Sequence, residues 1–358
     1  MSVRWSLFGI FVAALLSVCG GLLSCKDMNG NDVDWYYVYK VPRESGNPNP
    51  LIKTGLAHYY LDDSSPNFKL SSVSLESKSQ AVAQTLQQVY DLRDQIAYVM
   101  YNDQLPNDTE NSSRGHTKGV LAFDNQTGFW LIHSVPRFPN KTSYSWPENA
   151  KVYGQSMICV TFKSSKMAEI GEQMRYTYPF IYDYKLPSDL SQLVPSLQGV
   201  VKGDHVESPP WMRKVSLYSQ NGQQFTHYVK SKEFNQDLYF DWMAPDMRTG
   251  LQTETWQNGQ GKLSSNCSSD YDVLNIKMMK FPDVNFTSTK DHSKLAMTYS
   301  SLQVICVGDI NRVVRQLYIS SRQTSLAVTH KMTVPKLECP SMITLSTRWI
   351  QVLLEFPD

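Results

Sequence analysis

The chain has 358 residues, 41% of them hydrophobic and 12% aromatic, enough to bury a large core as one large domain or two smaller ones. Its 34 Lys and Arg nearly cancel its 33 Asp and Glu, for a formal net charge of +1. Global basicity therefore gives no support to nucleic-acid binding, and any polyanion has to be held by a local groove.

In chain order, Arg4 precedes an apolar run from Leu7 to Val18 that extends to Leu23. This layout predicts a signal peptide over residues 1–24. Val18-x-Gly20 and Leu22-x-Ser24 are the two cleavage patterns, and the first has the smaller residues. No later stretch is apolar for long enough to span a bilayer, so no membrane anchor is expected once the leader is removed. Val33, Trp35, Tyr37, Tyr39 and Val41 alternate as a strand. Val82, Leu86, Val89, Ile96 and Met100 fall near helical spacing and predict an amphipathic helix over Ser77–Met100. Gly119–Asp124 and Phe129–Val135 flank "NQTG" as a hairpin. Ser156–Phe162, Asp272–Phe281 and Leu302–Val307 read as further strands. Pro and Gly punctuate Pro187–Trp211, which suggests a boundary between an N-terminal half (25–200) and a C-terminal half (201–358). Strands in both halves and a long helix predict an α/β architecture.

Six Asn-x-Ser/Thr sequons, at Asn107, Asn111, Asn125, Asn140, Asn266 and Asn285, agree with a secretory route ending outside the cell or in the lysosome. Of six cysteines, Cys19 leaves with the leader. Cys25, Cys159, Cys267, Cys306 and Cys339 then make an odd number, so disulfides are expected with one thiol left over. There is no Cys-x-x-Cys and no His at ligand spacing from a Cys, so the cysteines do not read as a zinc site; the expectation is of no metal and no cofactor.

Two short strings carry the chemistry. In His116-Thr117-Lys118, strand geometry sends residues i and i+2 to the same face, which sets an imidazole beside an ammonium. A phosphoryl group suits this pair: a group that titrates near neutrality, and a cation for the non-bridging oxygens. His292-Ser293-Lys294 repeats it in the other half. With a four-residue "NQTG" loop, Asp124 faces Phe129 and His133 faces Val120, which puts His133 on the face of His116 and Lys118. If the strand Leu302–Val307 continues, Asp309 and Asn311 share a face at its end and offer a matching polar group. His133 and Asn311 are candidate hydrogen bonders to a phosphate, and Asp309 a candidate to orient a histidine. His58, His205, His227 and His330 have no lysine two residues on and read as exposed loop or strand histidines.

These motifs resemble the deoxyribonuclease II family of acid endonucleases. The resemblance rests on "VDWYYVYKVP", "AYVMYNDQLP", "RGHTKGVLAFDNQTGFWLIHSVPRFP", "YSWPENAKVYGQSMICVTF", "YTYPFIYDY", "VVKGDHV", "LQTETWQNGQGKLSSNC" and "DHSKLAM" followed by "CVGDINR", in family order from Cys25 to Arg312. It implies a phospholipase D-like α/β fold, with two pseudo-repeated halves of mixed sheets flanked by helices. It also implies metal-independent cleavage of DNA through a phosphohistidine, leaving 3′-phosphate ends. His116 and His292 would be the catalytic histidines, and Lys118 and Lys294 the phosphate clamps. His116 is taken as nucleophile and His292 as general acid by analogy. The pairs implied are Cys25–Cys159 and Cys267–Cys339, with Cys306 as the odd thiol and Cys306–Cys339 as an alternative.

The chain departs from the family pattern at Leu295, where a tryptophan is usual, and throughout residues 313–358. A changed tail keeps a second reading open: a secreted glycoprotein of the same fold that binds nucleic acid or another ligand without cutting. A phospholipid substrate is disfavoured, because Phe123 and Tyr299 stand where the phospholipase pattern has Asp. Both half-sites lie in one chain, so a monomer can complete one site, with a homodimer as the alternative.

Overall fold

The computed structural model describes residues 22–65, 67–106, 113–299, 302–318, 323–331 and 343–346. The chain forms a mixed α/β structure built on two large sheets. The first has eight strands in the order Ile181–Lys185, Ala97–Asn102, Lys118–Phe123, Thr127–His133, Gln155–Lys163, Trp35–Lys40, His58–Asp62 and Lys69–Leu70. Every neighbouring pair in it is antiparallel. The second has nine strands. Eight run in the order Met212–Tyr218, Gln224–Lys230, Gln323–Lys331, Leu302–Gly308, Leu295–Thr298, Leu251–Glu254, Val273–Lys280 and Asn285–Thr287, and Ile343–Ser346 pairs with Val273–Lys280.

The sheets share a local order. Lys118–Phe123 lies between an upstream antiparallel strand, Ala97–Asn102, and its hairpin partner Thr127–His133. Leu295–Thr298 likewise lies between Leu251–Glu254 and Leu302–Gly308. In each sheet the next strand along, Gln155–Lys163 or Gln323–Lys331, is antiparallel again. Each His-x-Lys string therefore enters an equivalent central strand.

Packing follows from strand alternation. Trp35, Tyr37 and Tyr39 face one core, while Tyr36 and Val38 face another. The first core holds side chains of both sheets, including Leu121, Trp130, Ile276, Leu295 and Ile305, so the sheets pack face to face. Met167, Ile170 and Met174 of the helix Met167–Thr177 join it. The other face of the first sheet is covered by Val82, Leu86 and Val89 of the helix Ala81–Asp91. Both faces of Trp35–Lys40 are buried, which explains its run of large aromatic residues.

The predicted helix is shorter than its periodicity suggested. It ends at Asp91, and Ala97–Asn102 is a strand. "IAYVM" satisfies a period of two as well as one of 3.6, and pairing with Lys118–Phe123 satisfies the backbone of six residues along a sheet interior. The hairpin is also tighter than expected. Ala122 pairs with Phe129 and Phe123 with Gly128. Asp124 Oδ1 accepts the backbone N–H of Gln126 at 2.7 Å and of Thr127 at 2.8 Å, which closes the turn early. Extending that register by one pair sets His133 opposite Lys118 and not Val120. A shift of two residues keeps every side chain on its face.

Two histidines read as exposed are interior. His58 and His227 are both 0% exposed because their strands lie inside the sheets. Burial lowers their pKa values to about 4 and about 3. His205 is half-buried, and the side chain of His330 lies outside the described part.

Cys25 and Cys159 form a disulfide that ties the N-terminal strand Cys25–Lys26 to Gln155–Lys163. Cys267 is also disulfide-bonded, while Cys339 lies outside the described residues. Cys306 is a free, buried thiol. Residues 1–21 of the expected leader lie outside the described residues, but Leu23 is 1% exposed and Ser24 is hydrogen-bonded to Gln88. Asn125 and Asn285 are exposed, Asn140 and Asn266 half-buried, and Asn107 and Asn111 outside the described residues. Among the described residues, no helix is long and apolar enough to cross a membrane.

Candidate active site

His116 stands two residues before the strand Lys118–Phe123, and Lys118 is that strand's first residue. The Lys118 side chain is buried and forms an ion pair with Asp103, just past the adjacent strand Ala97–Asn102. The second oxygen of Asp103 lies 3.8 Å from His116 Nε2. His116 Nδ1 lies 2.6 Å from the backbone carbonyl of Asp309. A carbonyl only accepts, so Nδ1 carries the ring proton and Nε2 keeps its lone pair in the neutral ring. The Asp309 carboxylate accepts the backbone N–H of Lys118 at 3.3 Å.

Asp309 belongs to the second sheet's side of the molecule, so the first motif is held by the other half. The converse holds too. The His292 N–H donates to the Gly154 carbonyl at 2.9 Å, and the Gly154 N–H donates to the Lys290 carbonyl at 2.9 Å. A Cβ on Gly154 would meet Asp291 Oδ1 at 2.5 Å, so only glycine permits this approach. Tyr39 Oη donates to the Asp291 carboxylate from the strand Trp35–Lys40, and the Ser293 N–H caps Asp291 Oδ1 at 2.9 Å. Each half thus fixes the His-x-Lys string of the other.

Both lysines are 1% exposed, whereas His116 and His292 are only half-buried. The ammoniums lie beneath and the imidazoles nearer the surface. Lys294 Nζ donates to the His292 carbonyl. Burial, then the charge of Lys118, pushes the Lys294 pKa down to about 7. Burial lowers His116 to about 4, with the positive charges of Lys118 and Lys294 adding to it and Asp103 opposing it. His292 is held well below its ordinary value by burial, Lys294, Lys118 and His116. The four groups act on one another as one electrostatic site.

The supporting residues fall around it. His133 is fully buried, and its Nδ1 accepts the Val135 N–H at 3.2 Å. Its proton therefore sits on Nε2, which has no hydrogen-bond partner among the described residues. Burial and Lys118 hold it neutral, with a pKa of about 3. Asn311 Oδ1 accepts the Trp256 N–H at 3.2 Å. The Trp256 ring packs edge-on against His292, centroids 4.6 Å apart, and against Tyr153 at 4.8 Å.

Sequence reasoning missed Asp103, Asp291, Tyr39 and Glu254. Glu254 is fully buried on the strand paired with Leu295, and burial raises its pKa well above the ordinary carboxylate value, which favours its neutral form. Asp103 had a usable signal: an acid directly after the strand that pairs with the motif strand. Tyr39 had none, because 252 residues separate it from Asp291. Among the described residues, no cluster of three or more His, Cys, Asp or Glu is arranged to hold a metal ion. The arrangement offers two neutral imidazoles and two ammoniums to an anionic tetrahedral group.

The family model described as Deoxyribonuclease II matches residues 24–322. Plancitoxin-1 of Acanthaster planci is 44% identical over 304 residues, spanning 83% of this chain and 85% of that protein. Deoxyribonuclease-2-alpha of Sus scrofa is 42% identical over 316 residues, 86% of each chain. A solved structure of yeast tyrosyl-DNA phosphodiesterase aligns at 9% identity and a TM-score of 0.29, over 62% of this chain and 68% of that one, a likeness too shallow to carry an argument. A match over most of the chain, with relatives above 40% identity, places the protein in the deoxyribonuclease II family.

Proposed function

We propose that the chain is a DNA-degrading nuclease that hydrolyses phosphodiester bonds at the His116–Lys118 and His292–Lys294 site, without a metal ion. The observation that carries this reading is the pairing of His116 Nδ1 with the Asp309 carbonyl, which leaves Nε2 as a neutral nucleophile. His116 Nε2 attacks phosphorus while His292 protonates the leaving 5′-oxygen, giving a phosphohistidine joined to the 3′-oxygen of the 5′-side fragment. His292, now neutral, takes a proton from water. The resulting hydroxide displaces His116 and leaves a 3′-phosphate. Lys118, Lys294 and the unpaired Nε2–H of His133 bear on the phosphoryl oxygens, whose charge grows in the transition state.

The electrostatics support work in acid. His292 has to be charged before it can donate, and burial beside two ammoniums disfavours that charge. Low pH opposes the penalty, and so does the arriving phosphate anion. The leader, the sequons and the Cys25–Cys159 disulfide support residence outside the cell or in the lysosome. Because Leu23 and Ser24 are packed, the leader is proposed to end before Leu23, at the first of its two cleavage patterns.

The test uses the mature glycoprotein, supercoiled plasmid, acid pH and a chelator. The reading predicts nicking that resists chelation and is lost in both His116→Ala and His292→Ala. Cutting that requires a divalent cation would overturn the mechanism. A folded wild type that retains DNA without nicking it would favour the non-cutting binder instead.

A further inference from the structure

A second cationic feature lies two residues from the proposed nucleophile and takes no part in the chemistry above. The Arg114 guanidinium lies over the Tyr178 ring, 4.0 Å from its centroid. The His205 ring lies 4.2 Å from Tyr178. Arg114, Tyr178 and His205 are each half-buried. Among the described residues, Arg114 has no hydrogen bond and no carboxylate partner.

The backbone holds this group in place. Tyr178 caps the helix Met167–Thr177 in the left-handed region, at φ +46°, a conformation a bulky residue rarely adopts. Its carbonyl accepts the Gly115 N–H at 2.9 Å, which ties it to the residue between Arg114 and His116. His205 Nδ1 lies 3.1 Å from the Gly203 carbonyl and so donates to it. Gly203, at φ +100°, ends the preceding helix, and a Cβ there would sit 3.5 Å from both terminal nitrogens of Arg114. Stacking fixes the plane of a guanidinium without using its in-plane N–H donors. An ammonium could not be fixed that way.

We propose that Arg114, stacked on Tyr178, whose ring also packs against His205, is a binding subsite for a DNA-backbone phosphate next to the scissile one. The proposal rests on the reading that His116 faces the scissile phosphate. Two residues of chain span at most about 7 Å, the scale that separates neighbouring phosphates on one strand. Arg114 offers a planar fork for two phosphate oxygens. His205 adds a ring whose Nε2 is 3.6 Å from Glu207. The subsite reads backbone and not sequence, so it sets position on the strand.

The experiment measures equilibrium binding, in a His116→Ala background that cannot turn over by the proposed route. A short fluorescein-labelled duplex is titrated by anisotropy across a salt series, with chelator present. Each phosphate neutralised on duplex DNA contributes about 0.9 to the slope of log affinity against log salt. Arg114→Gln should weaken binding several-fold and reduce that slope by about 0.9. Arg114→Lys should recover the slope, because the charge returns, but only part of the affinity, because the stacked fork does not. Tyr178→Leu should weaken binding with the slope kept. Unchanged affinity and slope in Arg114→Gln would overturn the proposal. So would weaker binding with an unchanged slope, since that marks a structural role for Arg114. Because the readout is binding, failure of the wild type to cut DNA would refute the catalytic reading without touching this measurement.

Discussion

Replacing Lys294 by arginine separates two pH effects that share the site. Burial and Lys118 hold the Lys294 pKa near 7. Its charge is nearly complete at pH 5 and falls about tenfold per unit well above 7. His292, which has to be charged to donate, is held well below its ordinary value. Both groups lose activity as pH rises, His292 first and Lys294 second. Because kcat/KM reports the free enzyme, its logarithm should fall with a slope of about −1 above the His292 pKa and about −2 above pH 7. A guanidinium stays charged beyond a pH of about 12. Lys294→Arg should therefore keep the first limb and lose the second. At pH 8, relative to its own value at pH 6, it should retain about tenfold more activity than the wild type does. Normalising each enzyme to itself removes any uniform loss from the larger side chain in a buried position. The assay is initial-rate cleavage of an oligonucleotide in chelator from pH 4 to 8.5. Superimposable profiles above pH 7 would refute the reasoning.

Three further outcomes follow from named contacts. Asp103→Asn removes a carboxylate whose charge supports the ammonium of Lys294, so the second alkaline break should move below pH 7, as read in the same profile. Gly154→Ala places a Cβ 2.5 Å from Asp291 Oδ1; kcat should fall by roughly 10-fold or more as the second motif is displaced, with a smaller change in KM. Cys25→Ser with Cys159→Ser opens a closure of 134 residues, and denaturant titration should show a loss of about 5 kcal/mol.

Much of this site could be read from the sequence because strand geometry is local. The exception is His116, which lies in a bend just before the strand that Lys118 opens, so strand alternation does not reach it, yet both side chains converge on Asp103, and His133 keeps its expected face even though the turn is two residues tighter than assumed. The helix boundary failed where "IAYVM" fits two periods at once, and only pairing with a distant strand decides between them. His58 and His227 were misjudged because strand burial on both faces depends on a second sheet that one sequence does not reveal. Asp309 was foreseen as orienting a histidine, yet its main-chain carbonyl does so, across the two halves. Tyr39, Asp291 and Gly154 were invisible for the same reason: each half is completed by the other, over contacts that local patterns do not encode.

The central claim is a covalent phosphohistidine on His116. The direct measurement uses His292→Ala with a 5′-labelled oligonucleotide whose scissile 5′-oxygen is replaced by sulfur. That leaving group needs no proton, so the first step should proceed while hydrolysis stalls. The label should appear on the protein, map to His116 by mass spectrometry, be released by acid, and be absent when His116 is also alanine. Cleavage of this substrate with no adduct at any time, or an adduct that persists without His116, would contradict the account.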